Sequence, residues 1–231
     1  MNLLAIDTAA NLCAACVYDT VARRELGRSV RDIGKGHAEV LMDVIGEALA
    51  ASGEGGKPLA FAGIGAIAVA VGPGSFTGIR VGVSVARGLA LALKAPSVGL
   101  TTLETLAFEA REKFGRKTVL AAIDGGRDGI YAALYDGLGK IGYDPAVVDF
   151  ETTMELAGKA VVVAGSAARR IAEAAGTDRL VVGSDAPTAD IAVYAKLALA
   201  KGFAGEKPRP LYLRAPDAKP QAHFALPRKD G

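Results

Sequence analysis

The sequence is poor in the residues from which metal and redox sites are built: among 231 residues there are two cysteines and two histidines. Cys13 and Cys16 form a C-x-x-C, but they fall in the apolar run 12–17, which reads as a strand. Residues three apart on a strand point to opposite faces. A zinc site would need two further ligands, and His37 and His223 are the only histidines. The cysteines are therefore expected to be buried structural thiols, and no metal site is expected.

A surplus of charge is also lacking. Twenty-seven Lys and Arg against 25 Asp and Glu leave a formal charge of +2, too little to imply a phosphate-tracking surface by itself. The last third is locally more basic, with Lys201, Lys207, Arg209, Arg214, Lys219, Arg228 and Lys229 against Glu206, Asp217 and Asp230, and reads as a solvated tail. No apolar run approaches the roughly 20 uninterrupted residues of a membrane span, because Arg80 and Arg87 break the longest candidate. Residues 1–7 have no basic n-region, and Asp7 arrives before an h-region could form. No membrane association and a cytoplasmic location are the expectations.

What the chain does have is apolar content, 51% hydrophobic residues, enough to bury a large core without a covalent staple. Residues 3–6, 12–17 and 24–30 read as strands, the first two joined by the polar stretch Asp7-Thr8-Ala9-Ala10-Asn11 with its Asx and Thr turn chemistry. From 37 to 51, Val40, Leu41, Val44, Ile45, Ala48 and Leu49 recur at helical spacing. Residues 64–71 read as a buried strand and 76–93 as a second helix closed by Lys94 and Pro96. Residues 101–114 read as a helix opened by a Thr101–Glu104 capping box.

The pattern then starts over. Strands at 119–123 and 130–134 repeat the opening arrangement, and Ala122-Ile123-Asp124 echoes Ala5-Ile6-Asp7. A strand at 160–164 and helices at 167–175 and 190–201 follow. The proline-rich stretch 208–220 is expected to be an extended strap. The echo signals a duplicated α/β unit, two similar βββαβα halves facing each other.

Gly72-Pro73-Gly74-Ser75-Phe76-Thr77-Gly78 follows a strand and opens a helix, so its backbone N–H groups face outward at a helix N-terminus. That leaves a phosphate site open. Neither a Walker loop nor the dinucleotide fingerprint is present, since no Lys-Ser/Thr pair follows the glycines and their spacing differs. Ser75 has no local base beside it and reads as the helix cap.

Along the helix, Gly78, Gly82, Ala86 and Ala90 recur every four residues, a row that would let another helix approach closely. Arg80, Ser84 and Arg87 form a narrow polar stripe. Both this helix and 37–51 carry wide apolar arcs, which suggests a helix-on-helix surface for another protein. A second domain or a symmetric copy is the alternative cover.

The run Gly72-Pro73-Gly74-Ser75-Phe76-Thr77-Gly78-Ile79-Arg80 closely resembles the signature of the TsaB (YeaZ) family, bacterial proteins required for making threonylcarbamoyladenosine in tRNA. Ile6-Asp7-Thr8, His37-Ala38-Glu39-Val40-Leu41, Gly99-Leu100-Thr101-Thr102-Leu103-Glu104, Asp124 to Tyr131 and Leu211-Tyr212-Leu213-Arg214 match in order. The resemblance implies an ASKHA (actin-like, ribonuclease H-like) α/β fold of two domains, 1–100 with 188–231 and 101–187, in which a C-terminal helix returns to the first.

It further implies a non-catalytic subunit that heterodimerises with the catalytic paralogue TsaD, joined by the ATPase TsaE, and meets tRNA indirectly through that complex. The candidate interface residues are His37, Leu41 and Ile45 on the first helix and Gly78, Arg80, Gly82, Ser84, Ala86 and Arg87 on the second. A TsaD-like enzyme should show two histidines four apart on a helix, whereas His37 is followed by Leu41. No intrinsic cofactor is implied, with ATP or ADP and Mg entering in the assembled complex.

One departure stands out: family members often read Asp-Ala-Arg then Glu-Val-Tyr where this chain has Asp124-Gly125-Gly126-Arg127-Asp128-Gly129-Ile130-Tyr131, which puts Gly126 and Gly129 at the Arg and Glu positions.

The competing reading is an independent ASKHA-type kinase or nucleotide hydrolase with Asp7, Thr8 and Asp124 around Mg-nucleotide. Direct tRNA binding and a homodimer of the isolated chain through the same helices are further readings.

Overall fold

The computed structural model describes residues 1–213 apart from 54, 56, 127, 128 and 177–179. The basic positions Arg214, Lys219, Arg228 and Lys229, and the strap beyond residue 213, lie outside the described residues. The first half runs β1 (Asn2–Asp7), β2 (Leu12–Asp19), β3 (Arg24–Asp32), α1 (His37–Ala51), β4 (Ile64–Gly72), α2 (Phe76–Leu93), β5 (Ser97–Thr101) and α3 (Thr102–Phe114). The second runs β6 (Val119–Asp124), β7 (Ile130–Tyr135), β8 (Ile141–Val148), α4 (Phe150–Ala157), β9 (Val162–Ala164), α5 (Ala168–Ala175), β10 (Val181–Ser184) and α6 (Ile191–Lys201).

Each half folds into one mixed five-stranded sheet with the same order. The first is β3-β2-β1-β4-β5, and the second, β10-β9-β6-β7-β8, is the same sequence read from the other edge. In both, the first three strands form an antiparallel meander and the last two join in parallel. Asp7 ends β1 and Asp124 ends β6, so the short sequence echo marks equivalent places in a duplicated fold.

Each half is βββαβαβα, one strand and one helix longer than the repeat expected from sequence. The strands not foreseen are short or irregular. β5 has five residues, β10 has four, and β8 contains Pro145. β8 pairs only with β7, and a proline is tolerated on such an edge because no second ladder needs its missing N–H. α4 was also unforeseen: eight residues give too few turns for a clear period.

The closing helices are exchanged. α3 packs against β6, β7, β9 and β10, while α6 returns to β1, β2 and β4. One continuous core therefore joins the inner faces of both sheets, from Leu3 and Ile67 through Leu103, Leu106 and Tyr194 to Val119 and Ala164. A separate core under α4 and α5 contains Leu120, Leu156, Val163 and Ile171.

α3 begins with the expected capping box: the Thr101 hydroxyl accepts the Glu104 N–H at 3.0 Å and the Glu104 carboxylate accepts the Thr101 N–H at 2.8 Å. β2 is buried along nearly its whole length because α1 and α6 both pack against it, so Cys13 and Cys16 are enclosed on opposite faces as free thiols.

α2 is long and apolar enough to cross a membrane by length and composition. In this fold it instead lies on β4 and β5, with Gly78, Ile79, Gly82, Val83 and Ala86 turned into the protein.

Candidate functional site

The loop between β4 and α2 is built to sit on the turn that follows β1. Gly72 and Gly74 have φ of 100° and 156°, and a Cβ at Gly74 would stand 2.1 Å from the Ala9 carbonyl oxygen. The Ser75 N–H donates to that same carbonyl at 2.6 Å. Ser75 is the N-cap of α2, its hydroxyl accepting the Gly78 N–H at 3.2 Å. Two of the amides that an anion could use at this helix start, those of Ser75 and Gly78, are thus taken by the protein itself.

The helix continues this contact. A Cβ at Gly78 would lie 2.0 Å from the Thr8 carbonyl oxygen, and one at Gly82 would lie 2.4 Å from Thr8 Oγ1. The Thr8 hydroxyl donates to the Gly78 carbonyl at 2.7 Å. The second half repeats the device with one glycine: a Cβ at Gly165 would meet the Ala122 carbonyl oxygen at 2.2 Å, and Ser166 Oγ accepts the Asp124 N–H at 2.9 Å.

This arrangement corrects the docking residues expected from sequence. Gly78, Gly82 and Ala86 do admit a close neighbour, but it is the chain's own β1 end and β4, where Gly82 also faces Val69. On α1, His37, Leu41 and Ile45 are 5%, 1% and 0% exposed and point into the core. His37 fills a local place, its Nε2 lying 3.2 Å from the Leu12 carbonyl oxygen. Period alone shows which residues share a face but not which face meets the sheet. Arg80, Ser84 and Arg87 are exposed as the stripe implied.

What α1 and α2 offer outward is a different set. α1 holds Glu47 against Ser29 and Arg31 of β3, so its opposite flank, with the exposed Met42 and Gly46, faces the α2 side. α2 contributes the half-buried Val81 and Val85 and the exposed Gly88. Around Gly46 and Gly88 a Cβ would meet nothing within 4 Å.

The two acids that end β1 and β6 are placed unequally. Asp7 is 2% exposed; its carboxylate accepts the Ala9 N–H at 2.8 Å and faces Thr188 and Tyr194. The Tyr194 hydroxyl approaches without completing a well-directed hydrogen bond. Burial pushes the Asp7 carboxyl above the usual range, only partly offset by the Ala9 amide and the two hydroxyls. The same burial, with Asp7 nearby, pushes Tyr194 well up.

Asp124 is solvent-exposed and paired with Arg170 at 2.8 Å. The turn after it is closed by the Gly125 N–H to the Gly129 carbonyl, 2.8 Å, with Gly126 at φ 65°. Arg127 and Asp128 lie outside the described residues.

Of the two acids expected around a Mg-nucleotide, Asp7 is thus enclosed and Asp124 is paired with an exposed arginine. Among the described residues no group of three His, Cys, Asp or Glu side chains gathers around one point. Burial also raises Cys13 to about 11 and Cys16 further still, which makes both poor nucleophiles.

The duplicated sheets, exchanged helices and paired acids at equivalent strand ends define an actin-like, ribonuclease H-like two-domain protein. An inorganic polyphosphate/ATP-glucomannokinase from Arthrobacter shares this fold, with a TM-score of 0.50 at 17% identity over 87% of this chain and 98% of that one. A Pseudomonas aeruginosa structure described as an uncharacterized protein with similarity to peptidase YEAZ superposes with a TM-score of 0.72. It is 29% identical and covers 92% of this chain and 99% of that one.

The family model for TsaD, described as tRNA N6-adenosine threonylcarbamoyltransferase, matches residues 30–207. Escherichia coli tRNA threonylcarbamoyladenosine biosynthesis protein TsaB is 36% identical over 136 residues, 58% of this chain and 55% of that protein. The chain belongs to the TsaD family, in its TsaB (YeaZ) branch. Its matches to the curated TsaB proteins span about half of their length.

Proposed function

We propose that this chain is a non-catalytic subunit in the formation of threonylcarbamoyladenosine in tRNA, acting by heterodimerisation with a TsaD-type paralogue through the outer faces of α1 and α2. The observation that carries the reading is the pairing of exposed or half-buried apolar side chains, Met42, Val81 and Val85, with two bare helix positions, Gly46 and Gly88. An approaching helix finds apolar surface and no side chain to hold it off.

The enclosure of Asp7, the engagement of Asp124 and the raised thiols all favour a platform over a catalyst. In this reading the transfer chemistry, any ATP or ADP with Mg, and a TsaE-type ATPase belong to the assembled complex, and the location is cytoplasmic.

The test replaces exposed groups so that the fold itself is spared. Gly46→Arg combined with Gly88→Glu, co-expressed with a TsaD-type protein, should abolish the heterodimer on a sizing column while the single chain keeps its thermal midpoint. A complex of undiminished yield would overturn the interface.

A further inference from the structure

We propose that the groove between α2 and residues 207–213 is a contact surface for single-stranded RNA. Residues 207–213 run beside α2, anchored by the Leu211 N–H to the Val71 carbonyl at 2.8 Å and by Pro208 against Gly99 of β5. α1 rests on β2 and β3 while α2 rests on β4 and β5, so this groove lies on the flank of α2 away from α1. It stays open when the α1–α2 face is covered, and the inference does not depend on the partner proposed above.

The groove is lined by cations with no acid among them. α2 has no acidic residue from Phe76 to Leu93. Arg80, Arg87, Lys94 and Lys207 are exposed, and none has a carboxylate partner among the described residues. The seven-residue step from Arg80 to Arg87 keeps both on one flank, about 10 Å apart along the axis. A concavity of about 450 Å³ holds Arg80, Ser84, Arg87 and Pro210, and one of about 550 Å³ holds Arg87, Lys94, Phe203 and Lys207. Arg87 lines both and makes them one track.

At its upper end the track carries two partly exposed aromatic rings. Phe76 and Tyr212 are each 48% exposed, with centroids 5.3 Å apart. Arg80 lies 3.8 Å from the Phe76 centroid and 5.5 Å from that of Tyr212, and its Nε donates to the Tyr212 hydroxyl at 2.7 Å.

An acidic peptide would use the cations and leave the rings without a role. A nucleotide strand uses both, stacking bases on the rings while its phosphates follow the cations. Unpaired bases are required for stacking, because duplex RNA keeps them in its own helix. A whole-chain charge of only +2 confines the attraction to this track and makes it salt-sensitive.

The experiment uses the full chain and two fluorescent probes, an oligouridine and an unmodified tRNA transcript, read by anisotropy between 50 and 200 mM salt. Binding of both should weaken with salt at a log–log slope of roughly −2 to −3, from three to four phosphates at about 0.7 each. Arg87→Gln with Lys94→Gln should lower affinity about tenfold and reduce the slope by about 1.4. Phe76→Leu should lower affinity several-fold with the slope unchanged.

The proposal is overturned by absence of binding to the oligouridine at 50 mM salt, or by affinities indifferent to these substitutions in variants whose melts match the parent. Equal competition by polyglutamate would assign the groove to an acidic protein segment, and equal binding of duplex RNA would remove the stacking argument.

Discussion

The packing of α2 onto the β1 turn makes its two kinds of glycine respond oppositely to the same added methyl group. Gly78→Ala places a Cβ 2.0 Å from the Thr8 carbonyl oxygen, a backbone atom one residue past the end of β1, which is itself paired with both β2 and β4, so the helix start rather than the strand has to move. Overpacking of this kind costs about 1–3 kcal/mol. Moving the helix also stretches the Thr8 hydroxyl bond to the Gly78 carbonyl, about 1 kcal/mol, against a helix-propensity gain of about 1 kcal/mol.

The net expectation is a loss of about 1–3 kcal/mol, or a melting point lower by several degrees for a chain of this size. Gly88→Ala meets nothing within 4 Å and should gain about 0.5–1 kcal/mol from propensity alone. Gly82→Ala falls between. Its clash is with the Thr8 Oγ1 atom, so Thr8→Ala should relieve it and leave the Gly78→Ala defect in place. Urea denaturation of the isolated chain measures all four. A Gly78→Ala protein as stable as the parent, or a Gly88→Ala protein destabilised as much, would refute an inward-facing glycine row.

Asp7 predicts a pH dependence. With its folded pKa raised, the unfolded chain releases the proton first as pH rises. Stability attributable to this group is therefore full in acid and falls as pH climbs from the ordinary carboxylate range through the folded value, at about 1.4 kcal/mol per unit of that interval. Asp7→Asn keeps an oxygen for the Ala9 N–H and should flatten that slope and stabilise the protein at pH 7; an unchanged slope in a pH series of urea midpoints would contradict it. Cys13 and Cys16 should react with a thiol reagent only as fast as the protein opens, so rapid labelling of the native chain at pH 8 would contradict their burial. Thr101→Ala removes one side of the α3 capping box and should cost about 1 kcal/mol, measured by thermal melting.

Local signals in the sequence determined a good deal of this protein. The 3.6 period placed α1 and α2 at their observed bounds, Thr101 and Glu104 placed the start of α3, and Ser75 the start of α2. The Ala-Ile-Asp echo located equivalent strand ends in two halves, and the run from Gly72 to Arg80 pointed to the family. These properties depend on neighbours within a few residues, which is why they could be read one segment at a time.

The tertiary structure decided orientation and burial. Whether Gly78, Gly82 and Ala86 face a partner or the chain's own Thr8 depends on which side of α2 meets β4, and a periodic stripe is silent on that. That α6 packs on the first sheet and encloses Asp7 beneath Tyr194 comes from contacts between residues nearly two hundred positions apart. Such contacts leave no local pattern, because burial of Asp7 is a property of what packs over it rather than of the residues beside it.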